Sequence, residues 1–184
     1  MFKMCRFLVL VLILCLPIIA DAENHSVTTG LYKVYFDLGL PSYDAYNVIV
    51  SPENESKSIS GGNTTAYQFT IDNTVGFGRS ATVIITHYEK AKPILSSEDV
   101  LKLLEHKIIE QSNLILINLE DRLIDGGVGA VASYRSKDVE KVTYDAIYQP
   151  TFDPSHTFVE IVTPCPWDEG TQQLLKTFHV EKVK

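Results

Sequence analysis

The stretch Leu114-Ile-Leu-Ile-Asn-Leu-Glu-Asp-Arg-Leu-Ile-Asp-Gly-Gly-Val-Gly-Ala-Val-Ala-Ser-Tyr134 reads as one strand, a turn and a returning strand. Leu114 to Leu123 is rich in Leu and Ile. Asp125-Gly126-Gly127 is turn chemistry, because aspartate and glycine tolerate positive φ. Val128 to Tyr134 then resumes. A turn this short joins antiparallel neighbours, since parallel strands need a crossover of a dozen residues or more.

The same pattern extends outward. Val142 to Tyr148 sets Val142, Tyr144 and Ala146 against Thr143, Asp145 and Ile147. Pro150 to Ser155 is a turn, and Thr157 to Val162 is a further strand. Upstream, Leu31 to Asp37 places Tyr32, Val34 and Phe36 on one side and Lys33 and Tyr35 on the other. Ala45 to Val50, Ala66 to Ile71 and Ala81 to Tyr88 complete the strands. Glu23 to Gly30 reads as a loose polar lead-in. Ser51 to Thr65, with Pro52 and Gly61-Gly62, reads as a polar loop.

Two segments carry helical spacing. Ser96-Ser-Glu-Asp99 is a capping box, and Val100, Leu101, Leu104 and Ile108 follow on one stripe. Trp167, Thr171, Leu174, Leu175 and Phe178 form the stripe of a closing helix, with Asp168 and Glu169 at its positive end. About eight strands and two helices in residues 31–184 predict a single α+β domain. Its sheet is expected to be mainly antiparallel, with the helices packed on it.

Residues 1–22 have the layout of a secretory signal. Met1 to Arg6 is basic, Phe7 to Ala20 is apolar, and Ala20-Asp-Ala22 offers a cleavage site. The apolar run of 14 residues falls short of the roughly 20 that span a bilayer. The expectation is cleavage after Ala22 and an extracytoplasmic protein with no membrane span. A retained anchor and a lipid-modified Cys15 are the alternatives. Removing residues 1–22 leaves 14 basic and 22 acidic residues, a net charge of −8. That acidity repels nucleic acid and anionic lipid. It also leaves Cys165 alone, so no internal disulfide can form.

Three segments resemble the PsbP-like superfamily: Leu31-Tyr-Lys-Val-Tyr-Phe-Asp37, Arg122 to Ala132, and Thr157-Phe-Val-Glu-Ile-Val162 running into Leu174-Leu-Lys-Thr-Phe178. The resemblance covers about Leu31 to Val183. It implies an α/β/α sandwich and a binding or assembly role. It implies no shared reaction and no cofactor.

Export makes three tripeptides candidate N-glycosylation sites, with modification of at least one expected and chance matches the alternative: Asn24-His-Ser26, Asn54-Glu-Ser56 and Asn63-Thr-Thr65. Trp167 and Asp168 are candidates for a partner surface, because tryptophan is favoured at interfaces; packing into the core competes for Trp167. Catalytic motifs are lacking. No Gly-x-Ser-x-Gly elbow occurs, and the five histidines show no i, i+4 pair. Asp153 and His156 share a turn that offers two metal ligands or ordinary turn polarity. Asp125 to Gly129 lacks the lysine of a phosphate loop. Glu120 and Arg122 are expected to form a surface ion pair. The reading is an exported, non-enzymatic protein that binds an unknown protein partner at the cell surface. A hydrolase on surface polymers and a small-ligand or metal carrier are the alternatives. A deep cleft with convergent carboxylates or histidines would favour these two; a closed core with an exposed apolar patch favours partner binding.

Overall fold

The computed structural model describes residues 25–38, 46–57, 62–73, 80–165 and 168–183. Eight strands form the main antiparallel sheet: β3 (Tyr46–Val50), β4 (Asn54–Lys57), β5 (Asn63–Asn73), β6 (Ser80–Tyr88), β7 (Leu114–Ile124), β8 (Gly127–Ser136), β9 (Val142–Tyr148) and β10 (Thr157–Cys165). Their order is β3-β5-β6-β10-β9-β8-β7, with β4 also paired to β5. A three-stranded sheet holds β1 (His25–Thr29), β2 (Tyr32–Phe36) and β11 (His179–Lys182), with β2 in the middle. The helices are α1 (Ser97–Ile109) and α2 (Asp168–Thr177).

This overturns the α+β expectation and the α/β/α sandwich implied by the resemblance. Of the described residues, 57% are strand and 16% are helix. The fold is β-rich, with two short helices. The expectation failed because three polar segments are strands. The lead-in contains β1, the loop contains β4 and the start of β5, and β11 follows the closing helix.

The small sheet faces the main one across the larger core. Tyr32, Val34 and Phe36 of β2 pack with Phe69, Ile71, Val83, Ile85, Val159 and Ile161. Leu174, Leu175 and Phe178 join the same cluster. The phenyl rings of Phe36 and Phe69 stack 6.1 Å apart across the two sheets. Fully burying a side chain of this size contributes about 1.5–3 kcal/mol.

The opposite face is covered only in part. Val100, Leu104 and Ile108 of α1 lie against Ala130, Ala132 and Ile147. The two alanines leave room for the helix to approach β8. The capping box forms as expected: Ser96 Oγ accepts from the Asp99 amide at 3.2 Å, and Asp99 Oδ2 accepts from the Ser96 amide at 3.2 Å.

The hairpin turn also forms. Asp125 (φ 52°) and Gly126 (φ 69°) make the left-handed pair of a primed two-residue turn. Gly127 abuts β9 so closely that a Cβ there would lie 2.1 Å from the Gln149 carbonyl oxygen. β7 slips register between Leu116 and Asn118. The slip keeps Leu114, Leu116 and Leu119 all on the α1 side.

Candidate functional site

The main sheet is open, so β3 and β7 are its two edges among the described residues. β3 pairs with β5 from Tyr46↔Asn73 to Val50↔Phe69, and β4 pairs with it from Asn54↔Ala66 to Lys57↔Asn63. The Ser51 amide donates to the Gln68 carbonyl at 2.9 Å. Pro52 and Glu53 together therefore oppose Tyr67, which is a bulge. β3 and β4 are one edge strand interrupted at a proline. The Ser51 bond also sets direction. Backbone groups alternate along an antiparallel strand, so the amides of Val48 and Val50 point to the open side.

Tyr46-Asn-Val-Ile-Val50 carries no charge. Val48, Ile49 and Val50 are 40%, 55% and 48% exposed. Both faces are therefore open at Val48 to Val50, whereas Tyr46 at the start of the strand packs against the larger core. Uncharged apolar edges are the sites where strands add.

Asn54 and Asn63 are exposed on the neighbouring hairpin, not in a loop. The Asn63 amide donates to Glu89 Oε2 at 2.9 Å. Asn24 and Trp167 lie outside the described residues. Asp168 opens α2, and its side chain is outside what is described. Cys165 ends β10, opposite Ser80.

Polar chemistry gathers at the end of the molecule where β11 meets the turn after β9. A surface groove of about 570 Å³ is lined by Phe152, Asp153, His179 and Lys182, among others. The Asp125 carboxylate bonds His179 Nδ1 at 2.6 Å and accepts from the Val180 amide at 3.0 Å. It thereby takes the place of a neighbouring strand beside β11. Asp153 Oδ1 and Ser155 Oγ lie 2.9 and 3.0 Å from the same nitrogen, Nδ1 of His156. A catalytic relay needs the acid on one ring nitrogen and the nucleophile on the other; this arrangement does not provide one. Tyr32 Oη lies 3.1 Å from both His87 Nδ1 and Thr157 Oγ1. Burial, then the nearby Lys182 charge, lower the His87 pKa and favour the neutral ring. No three metal-ligating side chains converge among the described residues.

A third cluster was not foreseen. Lys107 Nζ of α1 reaches Asp145 Oδ2 of β9 at 2.5 Å and Glu160 Oε1 of β10 at 2.6 Å. Asp145 is buried, and its second oxygen has no hydrogen-bond partner. Burial pushes its carboxyl up to about 6; Lys107 pulls it down and Glu160 pushes it further up. Burial acts to lower Lys107, but the two acids outweigh it and raise its pKa. Two carboxylates share one ammonium, and the buried one holds its proton to a higher pH than an ordinary aspartate does. Arg122 forms no ion pair with Glu120; its Nη1 donates to Gln172 Oε1 of α2 at 2.8 Å.

Comparison with protein families, with curated proteins and with solved structures returned no match for this chain. No helix among the described residues is long and apolar enough to cross a membrane.

Proposed function

We propose that this is an exported, non-enzymatic protein that binds another protein by accepting a strand on β3. The observation that carries the reading is the uncharged β3 edge, with Val48, Ile49 and Val50 exposed together. The core behind it is closed: Phe69, Ile71, Val83 and Ile85 are fully buried. Strand addition draws affinity from main-chain hydrogen bonds, and the outward amides of Val48 and Val50 can supply them.

Val48→Pro is the direct test. It removes one outward donor and leaves the inner ladder to β5 intact, because proline is tolerated where an edge amide faces out. Crosslinking and affinity capture from the native source should recover a discrete partner with the wild-type chain and lose it with Val48→Pro. Equal recovery by the two chains ends the reading. Export and glycosylation belong to the same proposal. Mass spectrometry of native protein should find Glu23 at the N-terminus and sugar on a peptide holding Asn54 or Asn63. An intact residue 1 and bare asparagines would contradict it.

The groove beside β11 supports a second reading, a small-ligand carrier. Its volume of about 570 Å³ lies in the range of ligand sites, and Phe152 provides an apolar wall. A ligand that shifts the His179 and Phe152 ring resonances, with β3 unaffected, would favour it.

A further inference from the structure

The β3 edge is neutral, but what brackets it is not. Asp72 sits opposite Asn47 at the start of the strand. Glu53 follows its end at the bulge, and Glu55 continues the same edge on β4. All three acids are exposed, and none is in an ion pair among the described residues. Lysine and aspartate at a sheet edge normally discourage strand addition. Here the charges stand beside the apolar stretch and leave it clear.

We infer that the segment β3 accepts is an extended peptide with apolar residues at alternating positions, bracketed by lysine or arginine. This rests on the strand-addition reading above and names the partner's chemistry. Apolar side chains of the added strand would lie beside Val48 and Val50 on one face. Its basic ends would meet Asp72 at one side and Glu53 and Glu55 at the other. The whole chain carries a formal charge of −7, so a basic segment is also drawn in from a distance. A second copy of this chain fits poorly. Tyr46–Val50 itself carries no lysine or arginine to meet the other copy's Asp72, Glu53 and Glu55.

The test uses the full mature chain and three synthetic peptides of one apolar-alternating sequence. Their flanks are lysine, serine or glutamate, and binding is read by fluorescence anisotropy. The lysine-flanked peptide should bind tightest, with an affinity that falls as salt is raised. Three exposed ion pairs together give about tenfold over the serine-flanked peptide. The charge-reversed chain Glu53→Lys/Glu55→Lys/Asp72→Lys should invert the order and prefer the glutamate-flanked peptide. Circular dichroism on that variant checks folding. Equal binding of all three peptides, or no inversion, overturns the inference. If native-partner capture still depends on Val48, strand addition survives that failure. A concentration-dependent dimer in sedimentation, lost in Val48→Pro, would make a second copy the occupant and overturn the inference as well.

Discussion

β3 and β7 end the same sheet, and each presents a row of backbone groups to the outside. β7 is guarded in two ways. It slips register at Leu116/Asn118, which bends the strand, and Glu120, Asp121 and Arg122 place three charges in succession along it. Its exposed apolar residues, among them Leu123 at 72%, are therefore broken up by charge and bend. β3 has five residues with neither device inside them. Natural sheets guard edges because an unguarded one pairs with whatever strand arrives. A chain that guards one edge and leaves the other open has treated the two differently, and the open one is the place to look for a partner.

The largest test of that contrast is a paired substitution. Ile49→Lys should abolish partner capture, while Leu123→Lys, at a more exposed site, should leave it unchanged. Equal effects would mean that neither edge is special.

The halves differ also in bracing. α1 covers the β7 half and is tied down by Lys107 on Asp145 and Glu160. Asp145 takes up a proton at about 6 in the folded chain, against 3.8 for an ordinary aspartate. The folded state therefore holds more protons between those values. The stabilisation from that proton is complete below about pH 4 and is lost as pH rises through about 6. Relative to Asp145→Asn, wild type should lose up to about 3 kcal/mol between pH 4 and pH 7, read from urea melts at each pH. A flat difference would mean that the ammonium satisfies both acids.

Removing the guards should convert β7 toward β3. Glu120→Thr/Asp121→Thr/Arg122→Thr is expected to strengthen self-association about tenfold, the equivalent of roughly 1.4 kcal/mol, as seen by sedimentation. The smallest effect is at the start of α1. Ser96→Ala should cost about 1 kcal/mol of stability in a thermal melt and leave partner capture intact, since α1 does not reach β3.

Much of this architecture was legible residue by residue. The alternation of Tyr32, Val34 and Phe36 gave β2 its buried face. Ser96 and Asp99 marked the start of α1, and Asp125-Gly126 marked the turn before β8. Thr171, Leu174, Leu175 and Phe178 are buried along the stripe predicted for α2. What escaped were β1, β4 and β11. His-Ser-Val-Thr-Thr, Asn-Glu-Ser-Lys and His-Val-Glu-Lys bury too few apolar side chains to show a period. They are strands because a neighbour offers backbone partners, and that is a tertiary fact. The candidate site was hidden for the same reason. Tyr46 to Val50 was recognisable as a strand, but that it lies at the end of the sheet depends on strand order. Asp145 alternated as if on a polar face; only the packing of α1 shows that Lys107 and burial await it there.

The bulge at Pro52 and Glu53 has one more consequence. Fibrils grow when a segment of six or seven apolar residues stacks in unbroken register on copies of itself. The open stretch here stops at Val50, and the extra residue at the bulge shifts the next four by one position relative to β5. An incoming strand in register with Tyr46 to Val50 meets a misaligned template beyond it. The kink thus ends the open apolar template at Val50, so that among the described residues it is five long, short of the six or seven that such stacking needs.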